Sequence, residues 1–168
     1  MTIAYLSFGG NLGDPQTCFR TAAQTLADTE DCLILAKSSL YRTPPWGKTD
    51  QPDFLNAALV LDTYLSPLAL LSLCQRLELA AGRQRKERWG ARTLDVDIIA
   101  MEGIVRQDQP LVLPHPYYRK RLFVLIPLLE IVGDIALAPG EPSLSILKQY
   151  CEAKMPEKFY RIAGPESW

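Results

Sequence analysis

The densest chemistry of the chain lies between Gly82 and Ile99, where a cationic loop runs directly into a short apolar strand. The loop carries five basic residues: Arg83, Arg85, Lys86, Arg88 and Arg92. Arginine binds phosphate oxygens through paired hydrogen bonds and lysine acts as a point charge, so the loop favours a polyphosphate ligand such as ATP. A basic run of this kind is usually a solvated loop or a patch for nucleic acid, and charge alone does not separate ATP from RNA.

Two carboxylates follow this loop on the predicted strand. Leu94, Val96 and Ile98 alternate with polar positions, which is the two-residue period of a strand with one buried face. Asp95 and Asp97 therefore point to the same side, roughly 6.5 to 7 Å apart. Carboxylates at this spacing can hold one hard cation or bridge a pair of them. An exposed strand face is the alternative, and the cationic loop favours metal-bound phosphate over it.

Composition restricts the classes of protein to which the chain can belong. A length of 168 residues, 48% hydrophobic content and a net charge of -1 are typical of one globular domain and argue against general nucleic-acid binding. Four scattered cysteines without a C-x-x-C pair indicate reduced thiols. The single histidine makes oxygen ligands, and hence magnesium, the default for any bound ion.

No part of the sequence predicts export or membrane insertion. The amino terminus lacks the basic and apolar segments of a secretory signal, and no apolar run approaches the length of a membrane span. We therefore expect a cytoplasmic protein without a membrane partner.

Hydrophobic periodicity predicts an α+β, ferredoxin-like fold. Helix start signals lie at Asp14–Pro15 and Ser66–Pro67, and Gly82 ends the second helix. The predicted order is a strand at 3–8, a helix from Pro15, strands at 33–41 and 54–61, a helix from Pro67, a strand at 93–99, a hairpin at 104–113, and helices at 122–131 and 143–154. This order gives a βαββαβ core with an antiparallel sheet flanked by helices, an added hairpin and C-terminal helices. We expect a single domain over residues 1–168, with residues 155–168 as a loosely held tail.

Several polar residues outside the central stretch also carry chemistry. Asn56 shares a strand face with Phe54, so it either bonds a neighbouring loop or contacts a flat heterocycle stacked on that ring. His115, fixed between two prolines, either has a structural role or donates to a phosphate together with Arg121. Gln75 and Glu78, by themselves, indicate only an exposed pair on a helix.

The chain resembles the 6-hydroxymethyl-7,8-dihydropterin pyrophosphokinases over nearly all of its length to about Ile131. The resemblance rests on five segments: Gly9–Gly13, Tyr41–Pro45, Asp53–Ala57, Arg88–Asp97, and Pro114-His115 together with Arg121 and Phe123. The fourth segment, R-W-G-x-R-T-L-D-x-D, is highly specific. Gly10 departs from the serine usual in this family and Phe54 from a frequent tyrosine, and the loop from Lys86 to Trp89 is one residue shorter than in well-known members.

The resemblance implies transfer of the β,γ-pyrophosphoryl group of ATP to the hydroxymethyl oxygen of the pterin in folate biosynthesis, releasing AMP. Asp95 and Asp97 would ligate two Mg²⁺ ions, and Arg83 and Arg92 would neutralise charge on the phosphates. The pterin side would comprise Thr43, Pro44, Trp46, Phe54, Asn56, Trp89 and Phe123. The ATP side would comprise Gln75, Glu78, Arg85, Lys86, Ile98, His115 and Arg121. Small molecules would be the partners, no nucleic acid would bind, and the protein would be a monomer.

Two other functions stay open at this point. A different metal-dependent phosphoryl or nucleotidyl transferase would use the same acidic pair, but it would leave other products. A ferredoxin-like RNA-binding module would use the basic loop and would need exposed aromatic residues on the sheet. The net charge of -1 and the carboxylates beside the loop count against the RNA-binding module.

Overall fold

The computed structural model describes residues 1–45, 50–82, 91–154 and 159–168. The strands are β1 (Thr2–Gly10), β2 (Cys32–Lys37), β3 (Leu40–Thr43), β4 (Phe54–Thr63), β5 (Asp95–Met101) and β6 (Tyr160–Ala163). The helices are α1 (Pro15–Ala27), α2 (Pro67–Ala80), α3 (Leu122–Val132) and α4 (Leu144–Lys154), with short 3₁₀ turns at Tyr118–Lys120 and Pro165–Ser167.

Within these ranges, six strands form one antiparallel sheet in the order β5-β1-β4-β3-β6, and β2 pairs with β4 beside β3. Because β2 and β3 follow one another along the same partner, they act as a single bent strand. The core then reads as β1-α1-β2/β3-β4-α2-β5, so the predicted ferredoxin-like, α+β fold is confirmed. Strand β6 extends this sheet beyond β3.

Helices cover both faces of the sheet because β4 is apolar on both faces. Leu55, Ala57, Leu59 and Leu61 pack in a core that includes α1 and α2. Ala58 and Val60 pack in a second core that includes α3 and α4. The sheet is thus the middle layer of three. The site described below lies on the α3 side.

The local start signals of α1 and α2 position both helices. The carboxylate of Asp14 accepts the N–H of Thr17 at 3.1 Å, and the hydroxyl of Ser66 accepts the N–H of Ala69 at 3.3 Å. A proline occupies the first turn of each helix, where its missing N–H has no partner to lose. Both predicted helix starts are confirmed.

Two expectations need correction. The predicted strand 33–41 is divided at the buried residues Ser38 and Ser39. The prediction of a loosely held tail is wrong for residues 160–168, because β6 pairs with β3 and Trp168 is only 3% exposed. The Trp168 ring lies 5.3 Å from the Phe8 ring centroid, so apolar burial holds this end of the chain.

A third expectation, the hairpin at 104–113, also needs correction. The hairpin is reduced to one antiparallel bridge between Arg106 and Leu113.

None of the helices in the described ranges combines the length and apolarity that a membrane span requires.

Candidate functional site

The site begins with one row of the sheet. Gly9 of β1 pairs with Asn56 of β4 on one side and with Asp95 of β5 on the other. Residues directly opposite each other in neighbouring strands point to the same face, so the Asn56 amide and the Asp95 carboxylate share the α3 face. Their Cα atoms are about 10 Å apart, which is twice the strand spacing. Gly9 contributes no side chain between them.

The two predicted carboxylates are both partly exposed on this face. The alternation expected for the strand is confirmed, since Leu94, Val96 and Ile98 pack in the opposite core. The side chain of Asp95 is 21% exposed and that of Asp97 is 36% exposed. Both acids are therefore accessible from the same side of β5.

Arginines face the same space as these acids. Arg92 forms an ion pair with Asp95, and Nη1 of Arg121 lies 3.5 Å from Oδ2 of Asp97. Arg92 lies in the segment that leads into β5, three residues before Asp95, and Arg121 lies at the start of α3. Cations and carboxylates are therefore interleaved, an arrangement that suits a ligand bearing both phosphates and metal ions.

The pterin-side prediction concerns the end of β4 next to β3. Asn56 is 3% exposed, and its amide donates to the Thr43 hydroxyl at 2.8 Å. Thr43 pairs in register with Phe54, which is partly buried on the face that holds Asn56. Pro44, directly after β3, is exposed. The structure thus brings Thr43, Phe54 and Asn56 together at one end of the sheet.

The start of α3 brings two more predicted residues to this face. Phe123 packs against the α3-side core while remaining partly exposed. The guanidinium of Arg121 lies 5.6 Å from the centroid of the Phe123 ring and equally far from that of Tyr117. Because Arg121 also contacts Asp97, it links the aromatic end of the site to the acidic end. Nothing in the residue pattern had indicated Tyr117.

His115 is held beside β5 by its own backbone. Its N–H donates to the carbonyl of Ile99 at 2.7 Å, and its Nδ1 accepts the N–H of Tyr117 at 3.2 Å. Burial, and then the charge of Arg121, lowers the pKa of His115 from 6.5 to about 4, although Asp95 opposes the shift. The imidazole is therefore neutral at pH 7, with its proton on Nε2.

Gln75 and Glu78 do not form the exposed pair that their spacing alone suggested. Gln75 is exposed, whereas Glu78 is 6% exposed and accepts the N–H of Val96 at 2.9 Å. Among the described strands β5 pairs with β1 alone, so Val96 needs an acceptor beyond the sheet edge. Glu78 thus supports the backbone between Asp95 and Asp97.

The side chain of Ile98 points away from the two acids. That side chain is 3% exposed and lies in the core shared with α1 and α2. Backbone groups two residues apart on a strand point the same way, so the N–H and carbonyl of Ile98 face the outer edge of β5, as those of Val96 do. Any contact of Ile98 with a nucleotide on the α3 face must therefore involve its backbone.

Five predicted site residues lie outside the described residues: Trp46, Arg83, Arg85, Lys86 and Trp89. Their roles stay predictions.

Asn11, at the end of β1, joins two segments of the site. Its Nδ2 donates to the side-chain oxygen of Gln51 and to the carbonyl of Pro52, each at 3.0 Å, and its Oδ1 accepts the N–H of Arg92, also at 3.0 Å. Sequence reasoning recognised Asn11 only as a motif position and assigned it no role. The available signal was an amide side chain within the glycine-containing segment that follows the first predicted strand.

The donor set of the acidic pair fits magnesium. Asp95 and Asp97 offer hard oxygen ligands from one side of β5, and the part of the chain that the structure describes contains no group of three or more metal-binding side chains. Magnesium is commonly bound by one or two carboxylates together with substrate phosphates and water. Two aspartates beside arginines are therefore enough for a metal–phosphate ligand.

Comparison with known proteins assigns the family. The family model described as "7,8-dihydro-6-hydroxymethylpterin-pyrophosphokinase (HPPK)" matches residues 5–133. The chain is 49% identical to the 2-amino-4-hydroxy-6-hydroxymethyldihydropteridine pyrophosphokinase of Methylorubrum extorquens, over 82% of this chain and 87% of that protein. It is 37% identical to the enzyme of that name from Haemophilus influenzae, over 92% of this chain and 97% of that protein.

A solved structure supports the fold independently. The HPPK-DHPS protein of Plasmodium falciparum, crystallised with pteroate, matches 92% of this chain with a TM-score of 0.71 and 14% sequence identity. This chain spans 45% of the length of that protein. The family model and the close relatives confirm what the sequence motifs indicated: the chain belongs to the 7,8-dihydro-6-hydroxymethylpterin pyrophosphokinase family.

Proposed function

We propose that this protein transfers the pyrophosphoryl group of ATP to 6-hydroxymethyl-7,8-dihydropterin in folate biosynthesis. The hydroxymethyl oxygen attacks the β-phosphorus of ATP and loses its proton to water, the bond from that phosphorus to the oxygen bridging to the α-phosphate breaks, and AMP leaves. The row Asn56–Gly9–Asp95 is the observation that supports the proposal, because the Asn56 amide and the Asp95 carboxylate lie on one face with their Cα atoms about 10 Å apart.

The pterin binds at the end of the row nearest β3. Phe54 and Phe123, both partly exposed, stack on its flat ring, and the buried amide of Asn56 is held for hydrogen bonding by Thr43. Pro44 borders this pocket, and Trp46 and Trp89 complete it. The absence of a side chain at Gly9 leaves room for the hydroxymethyl arm to extend towards β5.

The phosphates bind at the other end of the row. Asp95 and Asp97 hold two Mg²⁺ ions, which supply positive charge to the phosphates. Arg92, with Arg83, binds phosphate oxygens, and the ion pair of Arg92 with Asp95 supports placing this guanidinium at the phosphate end. Arg121 lies between the phosphates and the Phe123 ring and contacts both.

The remainder of ATP lies along β5. The outward N–H and carbonyl of Ile98 read the edge of the base, and Gln75, exposed on α2, borders the nucleoside. Arg85 and Lys86 add charge from the loop. Neutral His115 donates its Nε2–H to a phosphate oxygen. Glu78 is buried and bonds the backbone of Val96, so it supports the edge of β5 and does not line the ligand.

We also propose that the protein acts as a cytoplasmic monomer. The four cysteines are thiols and form no disulfide, which supports a reducing compartment. Sedimentation velocity at several protein concentrations tests the oligomeric state. A mass that rises with concentration would contradict a monomer.

A product assay tests the function. The protein is incubated with ATP, magnesium and 6-hydroxymethyl-7,8-dihydropterin, and the products are identified by mass spectrometry. AMP and the pterin diphosphate in equal amounts support the proposal. ADP with a pterin monophosphate would instead assign a phosphoryl transferase, and omission of magnesium tests the metal requirement.

A further inference from the structure

The carboxamide of Asn11 forms hydrogen bonds through both its oxygen and its nitrogen. The side chain is buried, with the residue 6% exposed. Oδ1 accepts the N–H of Arg92, and the backbone N–H groups of Asn11 and Leu12 donate to the carbonyl of Arg92 at 2.9 and 3.1 Å. The backbone of Arg92 is thus held at its N–H and at its carbonyl. The side chain of Arg92, which pairs with Asp95, therefore extends from a backbone that is held in place.

The nitrogen of the same carboxamide holds a different segment. Nδ2 donates to Gln51 and to the carbonyl of Pro52, and Pro52 precedes Phe54 by two residues. The two segments that Asn11 joins therefore lead to opposite ends of the site: Phe54 at the pterin end, and Arg92 with Asp95 at the phosphate end. Asn11 ties both of them to the end of β1.

The bonding pattern requires an amide at this position. A carboxylate would present a second acceptor to the oxygens of Gln51 and Pro52, and it would provide no donor. Glutamine would carry the amide one methylene too far for a buried position. Alanine would leave the N–H of Arg92 without its side-chain acceptor.

We propose that Asn11 is a positioning residue that couples the pterin pocket to the phosphate site through the backbone of Arg92. This inference rests on the proposed roles of Arg92 and Phe54. Asn11 itself bonds to protein groups and not to the reacting atoms. Its loss displaces Arg92, and a displacement of about 1 Å at a positioned group can lower turnover by about 100-fold.

The test is a double-mutant cycle with Arg92. We expect Asn11→Ala to lower kcat by about 10- to 100-fold in the wild-type background. In the Arg92→Ala background the same change should lower kcat by less than about threefold, because the residue through which Asn11 acts is already lost. A purely structural role would give the same factor in both backgrounds, which would overturn the inference.

A matched control and a second variant complete the test. Gln16→Ala also removes a carboxamide, one that donates to the carbonyl of Ser167 at 3.0 Å away from the acids, and it should leave kcat unchanged. Circular dichroism verifies folding. If Asn11→Ala does not fold, Asn11→Ser replaces it in the same cycle, with the same two outcomes.

The outcomes also separate this inference from the proposed function. Formation of AMP and pterin diphosphate by the wild-type protein establishes the reaction. A slow Arg92→Ala enzyme together with a wild-type rate for Asn11→Ala overturns the coupling alone. Wild-type turnover by Arg92→Ala overturns both the role of Arg92 and the coupling through it.

Discussion

Asp97 lies on the open side of β5, with Arg121 at 3.5 Å and Asp95 two residues away on the same face. We expect Asp97→Ala to lower turnover by about 10²–10³-fold, the cost typical of losing a group that stabilises charge in the transition state. The fold should persist, because this side chain lies outside both cores. Initial rates at saturating ATP and magnesium measure the effect.

Asp62→Asn provides the control for that change. Asp62 is also a strand carboxylate, but it pairs with Ile3 and Leu33 near the far end of the sheet. Its substitution should leave turnover unchanged. Near wild-type turnover by Asp97→Ala would contradict the assignment of Asp97 to the metal site.

His115 gives stability a pH dependence of known sign. Its pKa is about 4 in the folded protein and 6.5 when unperturbed, so the unfolded state takes up the proton first as pH falls. Stability is therefore greatest above the unperturbed value and decreases from there towards pH 4. Linkage gives a loss of about 1 kcal/mol between about pH 7 and about pH 5.5.

Urea unfolding at the two pH values measures this loss. His115→Gln should abolish most of it, because glutamine does not titrate. NMR titration of this single histidine reports its pKa directly. A histidine pKa near 6.5 in the folded protein would contradict the proposed burial and its effect.

Several site residues could be predicted from their types and spacing, while others could not. Asp95 and Asp97 were predictable because a strand period places them on one side. The burial of Glu78 was not predictable, because it depends on the N–H of Val96, which lies at the edge of β5 and takes Glu78 as its acceptor. The role of Asn11 likewise depends on three partners in distant segments.

At the scale of elements, the contact between α2 and β5 connects a helix to the acidic pair. Glu78→Leu removes the acceptor of the Val96 N–H and should destabilise the protein by about 1–3 kcal/mol. Glu78→Gln keeps an oxygen acceptor and should preserve that bond. Amide hydrogen exchange at Val96 distinguishes the variants: faster exchange is expected in the leucine variant alone.

Equal exchange rates at Val96 in wild type and Glu78→Leu would contradict this role. A loss of turnover that accompanies faster exchange would link the strand edge to the acids on either side of it. Turnover lost equally in the glutamine and leucine variants would instead indicate a need for the charge of Glu78.

Local signals predicted helices better than they predicted strand continuity. The caps at Asp14 and Ser66 act within one helical turn, so the sequence contains all their partners. The break between β2 and β3 depends on distant groups. The Ser38 hydroxyl accepts the N–H of Ala58, and Ser39 donates both its N–H and its hydroxyl to the carboxylate of Glu130 in α3.

At the scale of the whole molecule, residues far apart in the sequence meet in one core. Trp168 packs against Phe8 and Phe19, and its Nε1 donates to the carbonyl of Ser38 at 2.8 Å. We expect Trp168→Ala to destabilise the protein by about 3–5 kcal/mol, the range for large aromatic residues removed from a core. Urea unfolding measures the loss.

Tyr64→Ala is the control, since Tyr64 is an aromatic residue with 67% exposure. It should change stability by less than about 0.5 kcal/mol. Equal effects of the two substitutions would contradict the packing of Trp168. Turnover should fall little in Trp168→Ala under conditions where it stays folded, because Trp168 lies on the face opposite to the acids.

The fold class followed from the order of elements, since βαββαβ with alternating apolar faces leaves few sheet topologies. The sixth strand did not follow, because Tyr160–Ala163 is short and largely exposed and gains its place only by pairing with β3. The predictions for the loops around the site rest on family motifs alone. Long-range pairing, and not local propensity, sets the part of the fold that was missed.

The position of Trp168 also affects the timing of folding during synthesis. Phe8 and Phe19 emerge from the ribosome well before the indole ring that packs against them, because Trp168 follows them by 160 (168 − 8) and 149 (168 − 19) residues in the sequence. Contacts between distant parts of a chain close slowly, and domains fold as units. The core between α1 and the sheet is therefore completed only after Trp168 has been made, although its two phenylalanines are made much earlier.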